Sequence, residues 1–158
     1  MITELPLSGR LAGIDYGTVR IGVAVTDPDQ RLASPLENYR RGGLEADALW
    51  IKRLLAAERV VGVVVGLPIH NDGRESQKSQ EARQFGIWLA SISGLPVHYY
   101  DERYTSAHAE ALLQDAGFTS KQRKQRLDKL AAQIMLAAYL ESNRSQEQPS
   151  GLEDLQGH

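Results

Sequence analysis

Apolar positions along this chain change period several times, and each change marks an element. Residues 11–16 and 21–26 are short β-prone runs flanking Gly17-Thr18-Val19-Arg20, the pattern of a hairpin. Asp27-Pro28-Asp29-Gln30 is the next turn, and a third strand is expected within residues 31–39. Between residues 44 and 58 the apolar positions 44, 48, 51, 54 and 55 form a helical stripe. Val60-Val61-Gly62-Val63-Val64-Val65-Gly66 is then a continuous β-branched run, which suits a parallel strand buried on both faces. A loop through Pro68, His70 and Gly73 leads to a second helix, about residues 76–92, stopped by Gly94-Leu95-Pro96. Residues 97–100 make the last strand. Thr105 or Ser106 can cap a short helix ending near Gly117, and Thr119 or Ser120 can cap a terminal helix running to about residue 142.

The order βββ-α-β-α-β-α-α describes an antiparallel hairpin sheet extended through helical crossovers. Its expected architecture is α/β, a mixed five-stranded sheet with helices on both faces. One domain over residues 1–142 accounts for these elements. Residues 143–158 contain Pro149, Gly151 and Gly157 and little apolar content, the composition of a disordered polar tail. No internal repeat is present.

Composition narrows the class. At 158 residues the chain can bury a real core, and 42% hydrophobic with 24% charged content is ordinary for a soluble globular protein. No run reaches the ~18 apolar residues of a membrane helix. The first residues lack a basic segment followed by an apolar one, so no signal peptide is expected and cytoplasm is the default. There is no cysteine, which excludes disulfides and thiolate metal sites. A net charge of −2 argues against a uniformly basic nucleic-acid binder, but the distribution is uneven. Lys121, Arg123, Lys124, Arg126 and Lys129 crowd residues 121–129 against one acid, Asp128. That run is either a solvated helix start or a phosphate-binding surface.

Three carboxylate positions stand in unusual settings. Asp15 interrupts a strand between Ile14 and Tyr16, where an unpaired buried charge costs several kcal/mol. The alternative is a surface-facing acid, or one bonded to the turn at Gly17. Asp101-Glu102 closes the last strand. Successive strand residues point to opposite faces, so one of the two acids can join Asp15. Glu102 is the choice and Asp101 the alternative; the pair could instead cap the next helix, neutralised by Arg103. Asp128 lies on the helix side shared by Ala131, Ala132, Met135 and Tyr139 rather than on an all-polar face. Its bland reading is an ion pair with Lys124 or Lys129, worth ~0.3–0.5 kcal/mol. Gathered carboxylates repel, so such a cluster is stable mainly around a hard cation. His70, in a loop after a buried strand, is a candidate substrate contact, and His98 is a weaker one. Arg20 and Arg103, beside the acids, are further candidate nucleic-acid contacts.

Together these segments resemble the YqgF family, also called RuvX or pre-16S rRNA nucleases, a branch of the RNase H-like superfamily. The matching pieces are Gly13-Ile14-Asp15-Tyr16-Gly17-Thr18 with Arg20-Ile21-Gly22-Val23-Ala24, and Val65-Gly66-Leu67-Pro68 with Asp72-Gly73. Asp101-Glu102-Arg103 with Thr105 follows, then Asp128-Lys129-Leu130-Ala131-Ala132 with Tyr139-Leu140. The likeness spans residues 11–141, and four motifs in the right order are specific. It implies an RNase H-like fold with catalytic acids Asp15, Glu102 (or Asp101) and Asp128. Two departures stand out. Val19 replaces a residue that is basic in many members, and Ile69-His70-Asn71 varies a loop that often reads Asn-Met before Asp-Gly.

The resemblance implies carboxylates holding one or two Mg²⁺ or Mn²⁺ ions, ~3.5–4 Å apart where two are held. It implies structured RNA as substrate, with branched DNA second, and ribosomal precursor particles as partners. Processing of the 5′ end of 16S rRNA precursor is the leading role, and Holliday-junction resolution the runner-up. A monomer or weak homodimer is expected. An actin-like ATPase half also starts with an Asp-bearing hairpin, but those proteins close two domains over a nucleotide and this chain is short. A ribosome-assembly factor that kept the fold without catalysis is a third reading, disfavoured by the three acids.

Overall fold

The computed structural model describes residues 4–105, 117 and 119–156, without the side chains of residues 127–129 and 144–156. Its elements are β1 (Arg10–Asp15), β2 (Arg20–Thr26), β3 (Ala33–Arg40), α1 (Leu44–Ala57), β4 (Val60–Leu67), α2 (Gln77–Ser93), β5 (Val97–Asp101), a 3-10 turn over Glu102–Tyr104, and α3 (Ser120–Gln156). The strands lie in the order β3-β2-β1-β4-β5. β1 pairs antiparallel with β2 and parallel with β4, and β5 extends the parallel side. The expected mixed sheet is therefore present, and the β-branched run of β4 sits in its interior.

Alternation along the strands divides the core. Ile14, Val23, Val63 and Val65 meet Ile51 and Leu55 of α1 and Phe85 and Leu89 of α2. Leu11, Ala24, Val64 and Tyr100 meet Met135, Leu136 and Tyr139 of α3. Helix α3 can approach closely because the sheet presents glycines beneath it. A side chain at Gly13 would strike Leu136, and one at Gly22 would touch Ala132.

Local chemistry sets the helix ends. Ser76 caps α2 and shares a reciprocal pair of bonds with Ser79, while Gly94 closes the helix at φ 73°. Of the two candidate caps for the terminal helix, Thr119 acts: its Oγ1 accepts from the Gln122 amide (3.2 Å) and its own amide donates to Gln122 Oε1 (2.9 Å). Helix α3 continues to Gln156, past the end near residue 142 that its composition suggests. Its last turns include Pro149 and Gly151, both of low helix propensity, so local chemistry gives no account of this extension. The short helix expected between Thr105 and Gly117 falls outside the described residues.

One buried ion pair was not anticipated. Asp47, 1% exposed, accepts from Arg41 Nε (2.9 Å) and from the Gly42 amide (2.9 Å). Arg41 Nη1 also donates to the Tyr16 hydroxyl (3.1 Å), tying α1 to the end of β1. Removing one partner of such a pair strands the other charge. Asp47→Ala should therefore lower stability by about 3–5 kcal/mol. Urea denaturation checks this. Replacing Arg41 by Met as well should recover part of the loss.

Candidate active site

Asp15 is the last residue of β1, and the sheet register defines its surroundings. It pairs with Gly22 of β2, which pairs with Asn38 of β3. On the other side Ile14 aligns with Val65, so Asp15 lies beside Gly66, which aligns with Tyr100. The carboxylate thus has a glycine on each flank, on the face covered by α3.

Glu102 occupies the space that Gly66 leaves. Any side chain at Gly66 would collide with the Glu102 carboxyl. Since Gly66 adjoins Asp15, and adjacent strands are about 4.8 Å apart, the two carboxyls share one site. Electrostatics agrees: burial, then the charges of Asp15 and Asp101, push the Glu102 carboxyl up to about 7. Backbone contacts fix Glu102 in the 3-10 turn, where its carbonyl accepts from both the amide (3.0 Å) and the hydroxyl (2.7 Å) of Thr105.

Asp101 is engaged elsewhere. It accepts from the Arg103 amide (2.9 Å) and from Arg103 Nε (2.8 Å), capping the 3-10 turn. The Arg103 guanidinium beside it holds its carboxyl below the usual range. Arg103 also donates to the Asn71 carbonyl (3.4 Å), fastening the loop after β4. Of the two neighbouring acids, Glu102 faces Asp15 and Asp101 binds Arg103.

Asp128 belongs to α3, but its side chain falls outside the described residues. Ala132, one turn later, lies over Gly22, the partner of Asp15. The helix backbone at position 128 therefore runs toward the Asp15 end of β1. Among the described residues, no three acids or histidines gather closely enough to form a metal cluster.

A cleft of about 460 Å³ opens at Asp15, lined also by Gly17, Thr18, Arg20, Asn38, Pro68, Lys78 and Glu81. Arg20 is thus placed beside Asp15. Lys78 and Asn38 were missed from sequence, although Lys78 is the second residue of α2, a position open to anions. His70 does not line this cleft; it is exposed in a tight loop whose Gly73 amide donates to its carbonyl (2.8 Å). His98 packs on Tyr139 with ring centroids 5.3 Å apart, and burial holds its imidazole below the ordinary value. That is a core role. Lys121, Arg123, Lys124 and Arg126 are exposed on the first turns of α3.

The Glu102 shift has a consequence for metal-free protein. Its carboxyl titrates near 4.5 when unfolded and about 7 when folded. A raised carboxyl stabilises fully below the unfolded value and loses that contribution as pH rises through the folded value. The window, about 2.5 pH units, corresponds to roughly 3 kcal/mol. Glu102→Gln should abolish this slope and be the more stable protein above about pH 7. Asp15→Asn should shrink it. Urea denaturation in chelator at about pH 5 and about pH 8 measures both.

Comparison with known proteins places this arrangement. The RuvX family model, described as "Holliday junction resolvase", matches residues 9–142. A protein of Rhodopirellula baltica named "Putative pre-16S rRNA nuclease" is 49% identical over 94% of this chain and 87% of its own. One of the same name from Cereibacter sphaeroides is 39% identical over 89% of this chain and 88% of its own. The RuvC structure of Thermus thermophilus superposes with TM-score 0.50 at 18% identity, covering 85% of this chain and 96% of that one. That last likeness concerns the fold, which is RNase H-like. With its sheet order, its family motifs and these relatives in agreement, the chain belongs to the RuvX (YqgF) family.

Proposed function

We propose that this protein is a divalent-metal-dependent endonuclease that trims the 5′ end of 16S rRNA precursor. The observation that carries the reading is the confrontation of Asp15 and Glu102 on one face of the sheet, beside a polar cleft. Two hard oxygen donors that repel each other fit Mg²⁺ or Mn²⁺, with Asp15, Glu102 and Asp128 as the holding residues. A bound ion would supply Lewis-acid activation of water and neutralise charge on the phosphate.

The chain's own residues do the rest. Arg20 and Lys78 flank the cleft and would hold backbone phosphates on either side of Asp15. Lys121, Arg123, Lys124 and Arg126 would extend the phosphate track along α3. Arg103 acts indirectly, by fixing Asp101 and the loop that carries His70. The names of the relatives support RNA precursor as substrate. The description of the family model supports a second reading, resolution of four-way DNA junctions. No helix among the described residues is long and apolar enough to cross a membrane. We place the activity in the cytoplasm on ribosomal precursor particles, within residues 1–142, in a monomer or weak homodimer.

A cleavage assay with Mg²⁺ or Mn²⁺ should offer precursor rRNA and a four-way DNA junction side by side. Precursor rRNA should be cut; preferential cutting of the junction would favour the second reading. Asp15→Asn, Glu102→Gln and Asp128→Asn should each remove activity while the fold persists. Asp101→Asn should retain activity, because its partner is Arg103. If none of these proteins binds metal in calorimetry, wild type included, a non-catalytic assembly role replaces the nuclease.

Salt dependence tests the basic run. Each phosphate contact adds ~0.7–0.9 to the log–log slope of affinity against salt. Replacing Lys121, Arg123, Lys124 and Arg126 with Gln should weaken RNA and DNA binding alike and flatten that slope. An unchanged slope would reduce the run to a solvated helix start.

A further inference from the structure

Next to the Asp15 cleft lies a second cavity of about 480 Å³, formed along α2 near the start of α1. Tyr16 and Glu81 belong to the walls of both. Tyr16 follows Asp15 directly, so strand alternation sends its ring to the opposite face of the sheet. There it packs on Phe85 with centroids 4.9 Å apart, and Phe85 packs on Trp88 at 5.4 Å. Phe85 is buried, while Tyr16 and Trp88 are half-buried and open onto the cavity. Gln77, Gln80 and Gln84 form a rim of exposed amides, spaced to fall on one stripe of α2.

The charge of this cavity differs from that of the cleft. Arg41 is its cationic wall among the described residues, and its guanidinium is bonded to Asp47 and the Tyr16 hydroxyl. Glu81 stands at the junction between the two spaces. A phosphate would meet that carboxylate, and the guanidinium on this wall is already shared between Asp47 and Tyr16. An uncharged flat ring with polar edges suits the aromatic floor, and amides supply both donors and acceptors to such edges.

We propose that this cavity receives an unpaired nucleobase of the strand whose backbone lies in the Asp15 cleft. The proposal rests on the nucleic-acid reading of that cleft and narrows it. A base within a continuous duplex is already stacked and paired, so the site selects a strand that is single or splayed at this nucleotide. Tyr16 links the two subsites, since its neighbour is the candidate catalytic acid and its ring forms the cavity floor.

The chain has two tryptophans, Trp50 and Trp88, and Trp50 stacks on Tyr39 away from the cavity. An Asp15→Asn, Trp50→Phe protein cannot cut and leaves Trp88 as the reporter. It should be titrated with a short labelled single-stranded oligoribonucleotide, the same backbone lacking bases, and the corresponding blunt duplex. Anisotropy reports binding and Trp88 emission reports the cavity. The intact single strand should bind and shift Trp88 emission. Removing the bases should weaken binding roughly tenfold and abolish the shift, and the duplex should leave Trp88 unchanged. Adding Gln80→Ala and Gln84→Ala, both on the exposed rim, should weaken the intact strand severalfold and leave the baseless strand unaffected. Equal Trp88 responses to intact and baseless strands would overturn the proposal, as would binding of the intact strand with no response. If neither strand nor duplex binds by anisotropy, the nucleic-acid reading itself falls, and the cavity proposal with it.

Discussion

The repulsion between Asp15 and Glu102 is the constraint around which the rest of this structure is arranged. Burial of the Glu102 carboxyl, then the charges of Asp15 and Asp101, push it up to about 7. A protein selected for stability alone would place an apolar residue there. The fold instead makes room for the pair by keeping Gly66 bare, and secures Glu102 from behind through the doubled contact of Thr105 to its carbonyl. Arg103, the nearest cation in sequence, is held by Asp101 and bonded to the loop carbonyl of Asn71. Its charge is therefore directed at Asp101.

The same row of residues explains how the terminal helix meets the sheet. Asn38, Gly22, Asp15, Gly66 and Tyr100 lie across adjacent strands on one face. Glycine at position 22, and at Gly13 one step back along β1, lowers the surface so that Ala132 and Leu136 can sit directly on the backbone, while Gly66 leaves room for Glu102. Close packing and the candidate site thus share a cause. A larger residue at Gly22 would press on both Ala132 and Asp15, so a packing defect there would also disturb the acid.

Much of this was legible in the sequence because period and punctuation are local. The hairpin around Gly17, the β-branched run of β4 and the Gly94 stop all act within a few residues. Alternation at the end of β5 limited the acid beside Asp15 to one of Asp101 and Glu102, and it is the Glu102 side chain that lies over Gly66. What sequence could not supply was register. Asn38 faces the cleft because a bulge between Val23 and Ala24 shifts the pairing with β3, and a bulge leaves no clear compositional mark. The Arg41–Asp47 pair joins a loop to a helix whose polar residues look like ordinary surface until they are packed together. Nothing local signals the helical turns of α3 after residue 142, where the composition is polar and includes Pro149 and Gly151.

Alternation along β1 carries the argument one step further. Asp15 and Tyr16 are adjacent in the chain yet belong to opposite faces, the first against α3 and the second against α2. A strand end is the place where both faces can be reached by one ligand, because the sheet stops there and the cleft wraps around it. Lys78 of α2 and Arg20 of β2 border that wrap. The Arg41 bond to the Tyr16 hydroxyl then matters for the acid as well as for the ring, since fixing Tyr16 fixes the backbone on which Asp15 stands. Buried Asp47, three elements after Asp15 in sequence, thereby helps fix the strand end at which the two faces meet.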